Sequence, residues 1–463
     1  WFSLTKTAQQ LSVPPSDSVT AHFPIRATAA IDDGKQQVTA ANSSLGDAIA
    51  KSIRVHPNGK DESVNASEIL SGNGELTFTL PDDVIPGSQK TQLRIFPNLA
   101  AELAHSMEAT LERPHGCGEQ TISSTYPSLM LLRVYRSARE GDSPLKRKAD
   151  KYLHAGYQRL LEYQDSSGGF TYWGRGTSDI ALTAYAIRFL RDSSEFIEEA
   201  EKARVRAIKW LISKQRPDGS WQPPYGSAPT LTSYVLQILS GEIKNLTNDA
   251  TRTAVEDSVK RGSRFMAALA APEPYVQAEL ALALYESGDI DGAKTIANQL
   301  RKTAHREGSS AYWSLDTNTP FYGWGRVGRV ESTAVVLTAL SQIDGSTIST
   351  DELTRAGIKF LMSERDKYGV WYSGQTTVNV LNTLIAAIKF GKPSDTLPHV
   401  TVNGRIVAIP VKSTDVLAPI YADVTDTVRA GANSVKLSSA QPENYLNIQT
   451  SSQYYVPRTS ADK

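Results

Sequence analysis

Cys117 is the only cysteine of the chain, and Gln120 follows it within the run Pro114-His115-Gly116-Cys117-Gly118-Glu119-Gln120. A sulfur and a carboxamide at this spacing can be joined: the ring from the Cys117 sulfur through the backbone to the Gln120 side-chain carbonyl has about fifteen atoms and closes within ordinary covalent geometry. Thiolate attack on that carbonyl would expel ammonia and leave a thioester, an acyl donor far more reactive than the amide it replaces. Folding would supply the orientation that makes closure possible. Gly116 and Gly118 remove side chains on both sides of the sulfur, which lets the backbone bend and another group approach. The bland alternative is a lone cysteine acting as a small buried hydrophobe.

The same run offers two further titratable groups. His115 could serve as a base for the thiol or for an incoming amine, although adjacent residues seldom face each other, and the alternative is a solvent-facing turn residue. Glu119 could polarise a nucleophile or tie the turn to a backbone amide.

The elements around the motif follow from apolar periodicity. From Trp1 to about Phe96 the residues alternate, as in Leu76, Phe78 and Leu80, or Leu93 and Ile95, which predicts strands with one buried face. Asn42 to Asp47 and Pro57 to Ser67 read as loops. Beyond Pro97, Leu99, Leu103, Met107 and Leu111 recur at helical spacing, and helical stretches continue to about Phe390, so Cys117 is expected in a turn feeding a helix N-terminus, where a thiolate is favoured. After Pro393 alternation returns with Val400 and Val402, a tight Asn403-Gly404 turn, then Ile406 and Ile409. Residues 1–96, 97–392 and 393–463 are therefore read as a β segment, a helical domain and a second β segment. One β-domain interrupted by a helical insertion accounts best for the two short flanks; two separate β-domains, the first including the end of a preceding domain, are the alternative.

The helical block repeats. Gly168-Gly169-Phe170, Gly219-Ser220-Trp221, Ser310 to Trp313 and Gly369-Val370-Trp371 each precede a helix of small and apolar residues, and the aromatic landmarks are 51, 92 and 58 residues apart. Each unit is one helical hairpin, and the set is expected to close into an α/α toroid with the aromatics as core pegs under the turns.

Composition excludes other classes. Hydrophobic residues make up 40% and charged residues 21%, with Lys plus Arg and Asp plus Glu both at 49, which gives no basis for a nucleic-acid or anionic-membrane partner. No apolar run is long enough to cross a bilayer. The numbered chain is expected to be part of a larger protein, so a missing signal peptide says nothing of location.

The motif from Gly116 to Gln120, extended by Pro114 and Pro127, resembles the thioester motif of the alpha-2-macroglobulin and complement superfamily, whose thioester domain is an α/α toroid inserted into an all-β CUB domain. The resemblance extends over the whole chain. It implies that Cys117 supplies the sulfur and Gln120 the acyl group, with Pro114, Gly116, Gly118, Glu119 and His115 in support and no cofactor or metal. It implies covalent attachment to proteases or surface proteins bearing accessible Lys amines, as in protease trapping or opsonising defence, with other domains of the parent chain shielding the bond. Hydroxyl-preferring members carry a histidine near a Pro-Asp-Gly turn. Here the turn is Pro217-Asp218-Gly219, with Tyr225 in the neighbourhood and no histidine between His154 and His305, so direct aminolysis is expected.

Other readings remain. Gln215 to Trp221 resembles a turn motif of terpenoid cyclases, but their acidic initiating cluster is missing. A thiol hydrolase using Cys117 with His154 or His305 leaves Gln120 unexplained. A non-covalent binding module would carry the motif without ever forming the bond. Family members are secreted or periplasmic, and the lack of disulfides points to a bacterial, cell-envelope protein despite sequons at Asn42, Asn65 and Asn245.

Overall fold

The computed structural model describes residues 1–71, 73–96, 99–137, 141–270, 272–347, 350–366, 370–387, 399–407, 419–438 and 445–458. Seven strands come first: β1 (Phe2–Leu4), β2 (Ile25–Ala27), β3 (Ile31–Ala41), β4 (Gly46–Val55), β5 (Lys60–Ser71), β6 (Gly74–Leu80) and β7 (Lys90–Phe96). The helical block follows with α1 (Leu99–Ala109), α2 (Gly118–Ser137), α3 (Pro144–Leu161), α4 (Ile180–Ser193), α5 (Ala200–Ser213), α6 (Ala228–Glu242), α7 (Asp249–Ala267), α8 (Pro274–Ser287) and α9 (Ile290–Lys302). A small hairpin of β8 (His305–Glu307) and β9 (Ser310–Tyr312) precedes α10 (Gly325–Asp344), α11 (Glu352–Ser363) and α12 (Gly374–Ala387). The last strands are β10 (His399–Val402), β11 (Arg405–Val407), β12 (Ile420–Asp423), β13 (Gly431–Ser438) and β14 (Tyr445–Val456).

Strands from the two flanks share sheets. One has the order β11-β10-β13-β6 and the other β12-β7-β14-β5, every pairing antiparallel. Leu76, Phe78, Leu80, Val402 and Val435 of the first sheet share one apolar core with Leu93, Ile95 and Ile448 of the second. Asn403 and Gly404 both take positive φ, +50° and +82°, in the two-residue turn between β10 and β11.

Of residues 57–67, expected as a loop, 60–67 instead form most of β5, which pairs along its whole length with β14. Its inward positions include Val64 and Ala66, and small apolar residues among Lys, Asp, Glu, Ser and Asn hide a strand's alternation. The buried-face reading also fails before β5. There β1–β2 and β3–β4 are two separate two-stranded ribbons, largely exposed, with Val38 and Ile49 facing solvent. Among the residues invoked above, Pro97, Gly369, Phe390, Pro393 and Ile409 lie outside the described residues.

In the helical block the even-numbered helices pack in succession from α2 through α4, α6, α8 and α10 to α12, and α12 packs back on α2. The odd-numbered helices α3, α5, α7, α9 and α11 lie against them, α3 on α2 and so on round the circuit. Helix starts are set locally by side-chain caps: Ser143, Asp179, Ser227, Asn248, Asp289 and Asp351 each accept a first-turn N–H.

The repeated aromatics have repeated partners. Phe170, Trp221, Trp313 and Trp371 are completely buried, and the backbone N–H of each donates to a threonine hydroxyl on the following even-numbered helix: Thr183, Thr232, Thr333 and Thr377. The three indole N–H groups donate to the carbonyls of Leu211, Leu300 and Leu361 at the ends of the preceding helices. Gln164 and Gln215 act alike, each bonding the carbonyl of its own Gly-rich turn and one on the next outer helix. The Gln215-to-Trp221 turn is thus occupied by holding helices together.

Candidate functional site

Cys117 immediately precedes α2, whose first intrahelical bond runs from the Thr121 N–H to the Cys117 carbonyl at 2.8 Å. Gln120 lies in the first turn and folds back, so that its Oε1 accepts from the Cys117 backbone N–H at 3.1 Å. Side-chain amide and sulfur-bearing residue are therefore already adjacent. Cys117 is 7% exposed, whereas Gln120 reaches solvent.

Both glycines are required by packing. Gly116 has φ +77°, and a Cβ there would stand 2.1 Å from Gln120 Oε1. A Cβ on Gly118 would stand 2.8 Å from the Thr171 carbonyl. Pro114 is buried beneath the turn.

Groups distant in sequence lock the turn in place. The Gly116 carbonyl accepts from the Tyr163 hydroxyl at 2.7 Å and from Arg159 Nη2 at 2.8 Å, and Arg159 Nε donates to Thr121 Oγ1 at 3.2 Å. The Gly118 N–H donates to the Tyr172 carbonyl at 2.8 Å. Arg159 in the last turn of α3 and Tyr163 just past its end are four positions apart, a spacing visible in the sequence but without any sign that it served this carbonyl.

The supporting residues differ in what they do. Glu119 turns to a side chain: its Oε1 accepts from Ser123 Oγ at 2.6 Å, and burial raises its carboxyl above the ordinary range, with the Ser123 bond opposing. His115 is exposed, with Nδ1 3.2 Å from the Arg113 carbonyl and 3.8 Å from Glu112, so it faces its own loop. Burial, then Asp179, raises the Tyr172 hydroxyl far above its ordinary value. Tyr225 is 78% exposed in the loop before α6. Exposed aromatics also stand in the loops before α4 (Trp173), α10 (Tyr322, Trp324) and α12 (Tyr372). His154 turns to the Asp150 carbonyl and His305 stacks on Tyr312. Among the described residues no group of His, Cys, Asp and Glu could hold a metal ion, and no helix is long and apolar enough to cross a membrane.

A circuit of paired helices with a Gly-Cys-Gly-Glu-Gln turn at the start of one of them defines a thioester-domain class of protein. The family model for the A-macroglobulin TED domain matches residues 94–386, and the chain belongs to that family, within the alpha-2-macroglobulin and thioester-protein superfamily. Thioester-containing protein 1 allele S1 of Anopheles gambiae is 27% identical in an alignment of 360 residues that covers 73% of this chain and 25% of that protein. Salmonella alpha-2-macroglobulin reacted with methylamine matches with a TM-score of 0.54 at 18% identity, covering 99% of this chain and 28% of the other. Native alpha-2-macroglobulin from Escherichia coli, from domain MG7 to the C-terminus, matches with a TM-score of 0.52 at 18% identity, covering 99% of this chain and 68% of the other. These structures share the fold. The chain spans about a quarter of the insect relative's length.

Proposed function

We propose that this chain is the covalent arm of a larger defence protein: Cys117 and Gln120 form an internal thioester, and a target amine takes the acyl group. In formation, the Cys117 sulfur bonds to the Gln120 side-chain carbonyl carbon, the C–N bond breaks, and nitrogen leaves as ammonia. In transfer, the amine nitrogen attacks the same carbon, the C–S bond breaks, and the sulfur leaves with a proton as the Cys117 thiol. The donor is consumed once, so the chain is not an enzyme. The observation that carries the reading is the 3.1 Å hydrogen bond that holds the Gln120 amide against Cys117, in a pocket kept open by Gly116.

The finer reading follows from the same residues. The helical circuit is taken as an α/α toroid inserted, over about residues 97–392, into a CUB-like sandwich made by 1–96 and 393–463. With Tyr225 exposed and no histidine near the Pro217-Asp218-Gly219 turn, transfer goes directly to amines, Lys side chains of proteases or surface proteins, without an imidazole intermediate. A Lys amine is neutral only about once in a few thousand at pH 7, so the target must be held close. Such a protein works outside the cytoplasm, secreted or in the cell envelope, with other domains of the parent covering the bond.

Intact mass tests this. A formed thioester is one ammonia lighter than the sequence, methylamine converts it to a product one methylene heavier than the sequence, and water leaves Glu at 120. Freshly made parent protein with a free thiol, an unaltered Gln120 and no amine uptake would overturn the chemistry. Transfer to glycerol in preference to small amines would overturn the amine preference alone.

A further inference from the structure

The even-numbered helices all enter from one end of the circuit, the end that carries Cys117. Gly118 at the start of α2 bonds the Tyr172 carbonyl before α4, and Thr317 before α10 meets both Thr230 at the start of α6, at 3.4 Å, and Glu273 before α8. Thr376 of α12 donates to Glu331 of α10 at 2.7 Å, and Gly374 abuts Ser123 of α2. On the loops leading into these helices stand Trp173, Tyr225, Tyr322, Trp324 and Tyr372, five of the six exposed large aromatics among the described residues. None of the exposed large aliphatic side chains among those residues is on these loops.

The rings are held outward by the backbone. Tyr322 and Tyr372 have φ +65° and +44°, left-handed backbone that a bulky side chain seldom adopts and that folds retain mainly where a contact depends on it. Each follows a ring turned the other way. Phe321 meets Tyr185 of α4 and Tyr234 of α6 edge-on, at 5.6 and 6.2 Å, and Trp371 is a completely buried peg. The strained residue thus turns the chain between an inward ring and an outward one. The indoles differ in the same way. Those of Trp221, Trp313 and Trp371 donate to carbonyls, whereas the N–H groups of Trp173 and Trp324 have no partner among the described residues.

Between the rings the loops are nearly neutral. Residues 171–179, 222–227, 316–324 and 370–373 are rich in Thr, Ser, Gly and Pro, with Asn318 and Gln222, and their charges are Arg175, Asp179 and Asp316. Asp179 caps α4, and beside Tyr372 the charges of Arg326 and Glu364 pair with each other. A nucleic-acid strand would stack on such rings but needs a cationic groove, which these loops lack. A folded-protein partner is met by a contiguous, fully covered centre rather than by single rings on separate loops. A neutral sugar chain has the complementary pattern: flat C–H faces that stack on aromatic rings, edged by hydroxyls that bond indole N–H, phenol and amide groups.

We propose that this face recognises a neutral glycan on the target surface, its sugar rings stacking on Trp173, Trp324 and the neighbouring tyrosines, and so holds that surface beside the Cys117 turn. The role assigned to the glycan rests on the acyl transfer proposed above; the recognition itself requires no thioester. Each stacked ring is a weak contact, so affinity depends on several along one chain.

Calorimetric titration of the full chain carrying Cys117→Ala, with cellohexaose, chitohexaose and maltohexaose as probes, tests this. Saturable binding of at least one hexasaccharide is expected, at least about tenfold tighter than that of the matching disaccharide. Binding should weaken about fivefold or more in Trp173→Ala, Trp324→Ala or both, with Tm unchanged because both rings are exposed. No binding of any hexasaccharide at millimolar concentration, or unchanged binding in both tryptophan variants, would overturn the proposal. Tryptophan-dependent binding of unglycosylated serum albumin in place of the sugars would overturn it too and assign the face to a protein. The variant has no sulfur to acylate, so sugar binding alongside a parent without a thioester keeps this inference and removes the acyl chemistry, and a formed thioester without sugar binding does the reverse.

Discussion

Gln120 Oε1 lies 3.1 Å from the Cys117 backbone nitrogen, so the amide that the proposed thioester consumes is held by the residue that would supply its sulfur. This bond polarises the side-chain carbonyl toward attack, as a single oxyanion-type donor does. Gln120→Glu replaces the departing ammonia by a far poorer leaving group. Its intact mass should equal its own sequence mass, its thiol should titrate freely, and methylamine should not add; methylamine uptake equal to the parent's would refute the role of Gln120.

Gly116→Ala strains a backbone at φ +77° and drives a Cβ to within 2.1 Å of Gln120 Oε1. The expected destabilisation is about 1–3 kcal/mol, read by chemical denaturation, together with a fraction of thioester at least about tenfold below the parent's by thiol titration. Retention of full thioester content would show that the close approach has no bearing on closure.

Tyr163→Phe removes one of two donors to the Gly116 carbonyl and leaves Arg159 in place. A loss of about 0.5–1.5 kcal/mol in stability is expected, with thioester formation slowed several-fold in a refolding time course. Arg159→Met, which also releases Thr121, should be worse. Equal rates for both variants and parent would remove these residues from the positioning of the turn.

Trp221→Ala empties a completely buried site and removes the indole donor from the Leu211 carbonyl, leaving it the Lys214 N–H. Core truncations of this size destabilise by about 3–5 kcal/mol, measurable as a shifted urea midpoint. The same change at exposed Trp173 should fall within about 0.5 kcal/mol, and equal effects at the two positions would contradict the peg role.

Burial pushes the Glu279 carboxyl from the ordinary 4.5 up to about 7. Between these values the folded chain holds a proton that the unfolded chain has released, so stability falls as pH rises from about 4.5 to about 7 and stays reduced above that. Glu279→Gln should flatten that decline, by up to about 3 kcal/mol near pH 8. An identical pH profile in the variant would mean the carboxyl titrates normally.

The contact between Cys117 and Gln120 was legible because the two are three positions apart and flanked by glycines, a purely local pattern. Arg159, Tyr163 and Tyr172 were not, since each reaches the turn only through the packing of α3 and the loop before α4. The aromatic pegs were readable from recurring Gly-aromatic turns, whereas β5 was missed because Val64 and Ala66 give too weak an apolar signal among polar neighbours. The roles of His115 and Glu119 turned on which way a side chain points, which neighbours in space decide: Glu119 to Ser123, His115 to Arg113.

Because β6 pairs with β13, and β5 and β7 with β14, the early strands have no complete sheet to join until the helical block and the strands after it have been made. Contacts of such long sequence separation form late, while each helical hairpin can assemble from near neighbours as it emerges. Assembly therefore runs outward from the middle: hairpins accumulate, α12 arrives to complete the circuit against α2, and only then do the sheets zip shut. The order of synthesis thus sets a clock on the Cys117 turn, whose surroundings are finished only when the last helix of the circuit returns to the first.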